Sequence, residues 1–117
     1  MKELIKEIRQ FTEDRDWDQF HNCKDLAMAL SIEAAELNEA FLWKDAKDVK
    51  IEKVKEELAD IFNYAFLIAD KYQLDVKEIV MEKLAKNTAK YPVEKAKGKS
   101  DKYTELWLFI MHWKANS

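Results

Sequence analysis

Apolar positions in this chain of 117 residues recur three and four apart over long stretches, the spacing of helices that bury one face. The first stretch covers about residues 1–14, with Leu4, Ile5, Ile8 and Phe11 on one stripe. The run Asp14 to Asn22 breaks the pattern and reads as a loop. Asn22 is a natural N-cap for a second helix, with Asp25 at its third position, where the helix dipole favours an acid. That helix is predicted to reach about Trp43 through Leu26, Leu30, Ala34, Leu37 and Phe41. A polar connection, Lys44 to Lys50, leads into a third helix from about Ile51 to Tyr72 through Val54, Leu58, Ile61, Ala65 and Ile68. A fourth follows the N-cap Asp75, carries Val76, Ile79, Val80 and Leu84, and ends near Lys90. Tyr91-Pro92 stops it, because the residue before a proline is driven out of the helical region. Beyond lie a lysine-rich segment and an apolar run, Leu106 to Trp113, broken only by His112.

Composition sharpens this picture into a fold class. One Gly and one Pro are too few breakers for the many corners of an all-β or α/β fold, and 48% hydrophobic residues exclude a disordered chain. Helices of roughly 15–22 residues joined by short connections predict an all-α, antiparallel four-helix bundle. Residues 1–105 are expected to form one domain and 106–117 an apolar C-terminal tail. Twenty basic against 23 acidic residues give a net charge of −3, without the basic excess that nucleic-acid binding needs. Cys23 has no second cysteine to pair with, and one Cys with two His cannot build a structural zinc site. The N-terminus alternates charged and apolar residues, and no apolar run approaches the ~18 residues of a membrane span. A soluble cytoplasmic protein is therefore expected, with neither a membrane nor a nucleic acid as partner.

The chemistry lies in acids placed on an apolar face. At 100° per residue, setting Glu57 at zero puts Ile68 at about +20°, Ile61 at about +40° and Tyr64 at about −20°, with Asp60 near −60°. Setting Glu33 at zero on the preceding helix puts Leu26 at about +20°, Leu37 at about +40° and Glu36 near −60°. Each helix thus carries one carboxylate inside its core stripe and a second one turn later. Four converging carboxylates would repel one another, and burying ionised ones is costly, so protons or cations must intervene. Hard divalent cations that prefer oxygen ligands fit best, Mg²⁺ above all. Glu52, Lys53, Lys55 and Glu56 read as solvated surface, as do Glu39 and Asp70. A di-iron site would need Glu-x-x-His on the metal-facing helices, and neither His21 nor His112 stands three residues after a Glu.

The pattern Glu33-x-x-Glu36 followed by Glu57-x-x-Asp60 resembles the all-α NTP pyrophosphatase superfamily, the MazG-like and dUTPase-like enzymes. The local words resemble its dCTP pyrophosphatase branch, with that branch's bacterial and integron-cassette relatives. These words are Arg15-Asp16-Trp17-Asp18-Gln19-Phe20-His21, Phe41-Leu42-Trp43-Lys44, Glu56-Glu57-Leu58-Ala59-Asp60-Ile61, Lys83-x-x-x-Asn87, Lys90-Tyr91-Pro92 and Lys102-Tyr103-Thr104-Glu105-Leu106. The resemblance covers about residues 3–106. It implies Mg²⁺-dependent hydrolysis of a nucleoside triphosphate between its α and β phosphates, on pyrimidine deoxynucleotides of the dCTP type, as nucleotide-pool house-cleaning. By the same likeness Glu33, Glu36, Glu57 and Asp60 bind Mg²⁺ and carry the catalysis. Which of them takes the proton of the attacking water stays open, with Glu36 the favoured candidate.

Further matches imply a nucleotide site. Lys83 and Asn87, one turn apart, would address the phosphates. Lys90 stands where relatives often have Arg, keeping the charge but losing the bidentate fork. Trp17, Phe20, His21 and Trp43 resemble the family's base and sugar pocket, with Tyr64 lying toward the carboxylates. The resemblance also implies a homo-oligomer, a dimer or a dimer of dimers, with active sites between subunits. The tail has no counterpart in it and is expected to lie against the bundle or a neighbouring subunit, without a catalytic part. Two alternatives stand beside this reading: a relative with broader or purine preference, and a catalytically silent helical bundle that binds a partner or regulates one.

Overall fold

The computed structural model describes residues 1–98; the expected tail, and the boundary at 105–106, lie outside the described residues. Within them the helices are α1 (Lys2–Asp14), α2 (Cys23–Phe41), α3 (Ile51–Lys71), α4 (Val76–Lys90) and α5 (Val93–Ala96), with no strand among the described residues. Four long helices thus stand where the apolar spacing placed them. The fifth is a single turn begun by Pro92, whose fixed φ suits the N-cap it occupies. Both loops also contain a 3₁₀ turn, Asp18–Phe20 and Ala46–Asp48, which apolar spacing cannot register in so few residues.

The helix ends follow local chemistry. The Asn22 side chain accepts a hydrogen bond from the Asp25 backbone N–H at 2.9 Å, and Asp75 accepts one from Glu78 at 2.9 Å, so both expected N-caps are in place. α1 and α3 close in the same way. Trp17 N–H returns to Thr12 O at 3.0 Å and Leu74 N–H to Ala69 O at 2.8 Å, each across a residue in the left-handed region, Asp16 (φ 53°) and Gln73 (φ 55°). This closure turns the chain sharply after α1 and folds Trp17 back over the helix, its ring edge-on to Phe11 at 5.6 Å between centroids. α2 stops at Phe41, two residues short of expectation, because Leu42 is already extended and Trp43 has φ 61°.

The chain divides into two compact units, Met1–Glu78 and a second that begins at Ile79. In the first, α2 packs along α3, and α1 makes a smaller contact with α3. Leu26, Phe66, Leu67 and Ala69 form its buried core, so α2 and α3 supply the centre. Two ion pairs tie α1 and its loop to the end of α3. The Arg9 guanidinium grips both oxygens of Asp70, with Nε at 2.8 Å from Oδ2, and Lys71 Nζ meets Asp18 Oδ1 at 2.6 Å. Asp70 is therefore an anchor of α1, and Arg9 holds its carboxyl below the usual range. Its place in the solvated set is corrected: at the end of α3 it meets a different helix, which spacing along its own helix does not reveal. Leu26 is 1% exposed at the centre of this packing. Leu26→Ala is expected to cost about 2–5 kcal/mol of stability, read from chemical denaturation at unchanged slope.

Candidate active site

α2 and α3 bring their acids together where the two core stripes meet. One carboxylate oxygen from each of Glu33, Glu36 and Glu57 lies within 4.8 Å of the others. Glu57 is buried at 4% exposure, and Glu33 and Glu36 are half-buried. Asp60 is exposed and falls outside this triad, though its charge acts on Glu33.

Two compensations make the arrangement tolerable. Lys53 Nζ sits 2.8 Å from Glu57 Oε1, and this bond holds Glu57 ionised, below the ordinary carboxyl range, against the opposing effect of burial. Lys53 is thus no bystander of the solvated face. It stands one turn before Glu57, and its ammonium reaches forward along the helix to the carboxylate while half of the side chain stays in water. Glu33 takes the other route and is pushed up to about 7. Burial contributes most, followed by the close approach of the Glu36 and Glu57 carboxylates and by the charge of Asp60.

What remains uncompensated is specific: Glu33 Oε2 and Glu57 Oε2 are buried without a hydrogen-bond partner. Orphaned carboxylate oxygens on two adjoining helices, all hard donors, are the set a divalent cation completes. The residues present fit such an ion.

A cavity of about 420 Å³ adjoins Asp60. α1 contributes Glu7, Ile8, Phe11 and Thr12; the loop adds Trp17 and His21; α3 adds Asp60, Asn63, Tyr64 and Leu67. Three of the sequence-predicted pocket residues, Trp17, His21 and Tyr64, thus share one wall system with Asp60. His21 Nδ1 is buried without a partner. Phe20 is 66% exposed and Trp43 fully exposed, and neither lines this cavity. Lys83, Asn87 and Lys90 stand on α4 in the second unit, with Asn87 half-buried and both lysines exposed. Apolar spacing did not single out Glu7, Thr12 or Asn63. They meet only because α1 crosses α3 about 50 residues further along the chain, and the lone signal was the position of Asn63 one turn past Asp60.

The MazG-like family matches residues 28–106, a stretch that contains all four acids. The chain is 34% identical to dCTP pyrophosphatase 1 of Bos taurus and to that of Homo sapiens, over 83% of its own length and 62% of theirs. It thus spans less than two thirds of these curated relatives. A pyrophosphatase from Archaeoglobus fulgidus DSM 4304, solved by crystallography, shares 37% identity with a TM-score of 0.71, over 79% of this chain and 92% of that one. Paired acids on adjoining helices, the all-α fold and these likenesses agree: the chain belongs to the MazG-like family.

The raised carboxyl of Glu33 has a consequence for stability. A group protonated more readily in the folded state than in the unfolded one stabilises fully below its unfolded value, near 4.3 for Glu, and that contribution is lost as pH rises through its folded value. With divalent cations chelated, the melting temperature is expected to fall as pH rises from about 4.3 to about 7 and to level off above that. Glu33→Gln should flatten that slope, and an unchanged slope in the variant would assign it to other groups.

Proposed function

We propose that this chain is a Mg²⁺-dependent nucleoside triphosphate pyrophosphohydrolase, releasing pyrophosphate and a monophosphate from a (deoxy)nucleoside triphosphate of the dCTP type. The observation that carries this reading is the convergence of Glu33, Glu36 and Glu57, with two orphaned buried oxygens, beside a cavity walled by Trp17, His21 and Tyr64. The likeness to dCTP pyrophosphatase 1 and to the archaeal pyrophosphatase supports the substrate class and the reaction type.

Glu33, Glu36 and Glu57, with Asp60 at the edge, would hold the ion. Mg²⁺ in that place would neutralise charge developing on the α-phosphoryl oxygens and lower the pKa of an attacking water. Glu36 is our candidate to take that water's proton, since Glu57 is tied to Lys53. Trp17, Phe11, Ile8 and Leu67 give the cavity flat and apolar walls on which a base can rest, while His21 and Tyr64 supply polar atoms. The assignment of Lys83, Asn87 and Lys90 to the phosphates, and of Phe20 and Trp43 to the base and sugar, rests on the sequence resemblance.

We also propose a homo-oligomer. Met28 and Ile32 stand one turn apart on α2, as do Leu58 and Phe62 on α3, and all four are substantially exposed. Such side chains gain from a partner's helices. No described helix is long and apolar enough to cross a membrane.

Mg²⁺ is expected to raise the melting temperature of the wild type by mass action, and Glu57→Gln to abolish most of that shift. Equal shifts in both proteins would count against the carboxylate centre. Pyrophosphate release should require Mg²⁺, concentrate on one base across a panel of ribo- and deoxynucleoside triphosphates, and fall at least 100-fold in Glu36→Gln, about 2.7 kcal/mol of barrier. No release from any nucleotide by folded, Mg²⁺-loaded protein would leave the helical bundle as a partner-binding module.

A further inference from the structure

Phosphates and sugar are shared by every nucleoside triphosphate, so the choice of base must come from polar groups inside the cavity. Few are uncommitted there. The Thr12 hydroxyl is spent on Arg9 O at 2.8 Å, and Asp60 is a carboxylate whose charge acts on Glu33. Glu7, when ionised, offers acceptors alone, while Tyr64 and Trp17 each bring a single polar group, a hydroxyl and an N–H donor. Asn63 differs from all of these. It lines the cavity from α3, one turn after Asp60 and beside Tyr64. Its carboxamide presents a donor and an acceptor side by side, the pattern carried by the edge of a nucleobase.

Independently, His21 Nδ1 is buried on the same cavity without a partner. An unsatisfied ring nitrogen beside apolar walls marks a place for a polar ligand, since leaving such an atom unpaired is costly. Asn63 and His21 belong to different elements, α3 and the loop after α1, and a flat heteroaromatic ring resting on Trp17 would lie between these walls.

We propose that Asn63 reads the edge of the base and sets the nucleotide preference of the enzyme. The proposal rests on the nucleotide reading given above. Asn63 is a specificity determinant and takes no part in the phosphoryl chemistry, which belongs to the acids one turn and more before it.

The experiment measures kcat and KM for dCTP, dTTP, dATP and dGTP on wild type, Asn63→Leu and Asn63→Asp, with melting temperature and its Mg²⁺ shift recorded for each. Asn63→Leu is expected to lower kcat/KM for the preferred base about 10- to 100-fold, mainly through KM, and the other bases less, so that the preference narrows. The Mg²⁺ shift should match wild type, which shows the carboxylate centre intact. Asn63→Asp keeps the acceptor and loses the donor, and should favour the bases with an exocyclic amino group over dTTP. Asn63→Leu with the wild-type ratios among the four nucleotides would overturn the proposal. So would an equal loss of kcat on all four at unchanged KM, which would make Asn63 a prop for Asp60 or Tyr64. Wild type that releases pyrophosphate from none of them would sink the nucleotide reading itself, a result distinct from either.

Discussion

A carboxylate in a helical core must be met by positive charge, by a proton or by directed hydrogen bonds, and the first unit of this chain is arranged around that demand at Glu57. Lys53 meets one oxygen from the same helix, and the protonatable Glu33 faces the cluster from α2. The remaining oxygens stay unpaired at a cost the fold must carry elsewhere. That cost is carried by the apolar packing of Leu26, Phe66, Leu67 and Ala69 further along the same two helices. The acids thus gather at one end of this helix pair and most of the buried apolar packing at the other, and the end with unpaired oxygens is the one that can accept a cation.

The cavity depends on this division. α1 is held against α3 by Arg9–Asp70, and its loop by Lys71–Asp18. With those pairs at the far end of α3, α1 runs back along it and leaves a space beside Asp60. The left-handed turn at Asp16 drops Trp17 onto Phe11 and so forms one wall of that space. Each ion pair has one exposed and one half-buried partner, and pairs this close to water contribute little energy each. They fix where the loop goes while adding little to how firmly the unit holds together. Met28 and Ile32 on α2, and Leu58 and Phe62 on α3, stay exposed in the same unit.

Much of this was legible in order along the chain. The four long helices, the N-caps Asn22 and Asp75, and the placement of Glu33 and Glu57 on core faces all follow from spacing within a single element. Spacing misjudged Lys53 and Asp70. Both side chains are long or placed so that they act across a turn or onto another helix, and a wheel drawn on Cβ directions does not carry that reach. The two short 3₁₀ turns and the single-turn α5 were missed because so few residues show no period.

What the sequence determined by itself is therefore local: helical class, the order and N-caps of the long helices, the two pairs of acids, and the family words that tie them to a MazG-like chain. Tertiary structure decided which atoms are left without partners, that Asp60 stands outside the close triad, and that Trp17, His21, Tyr64 and Asn63 share one cavity while Phe20 and Trp43 do not. The reason is physical. Periodicity reports the direction of a side chain from its own helix, whereas a site is a meeting of elements, and its geometry depends on how helices distant in sequence cross and what pins them there.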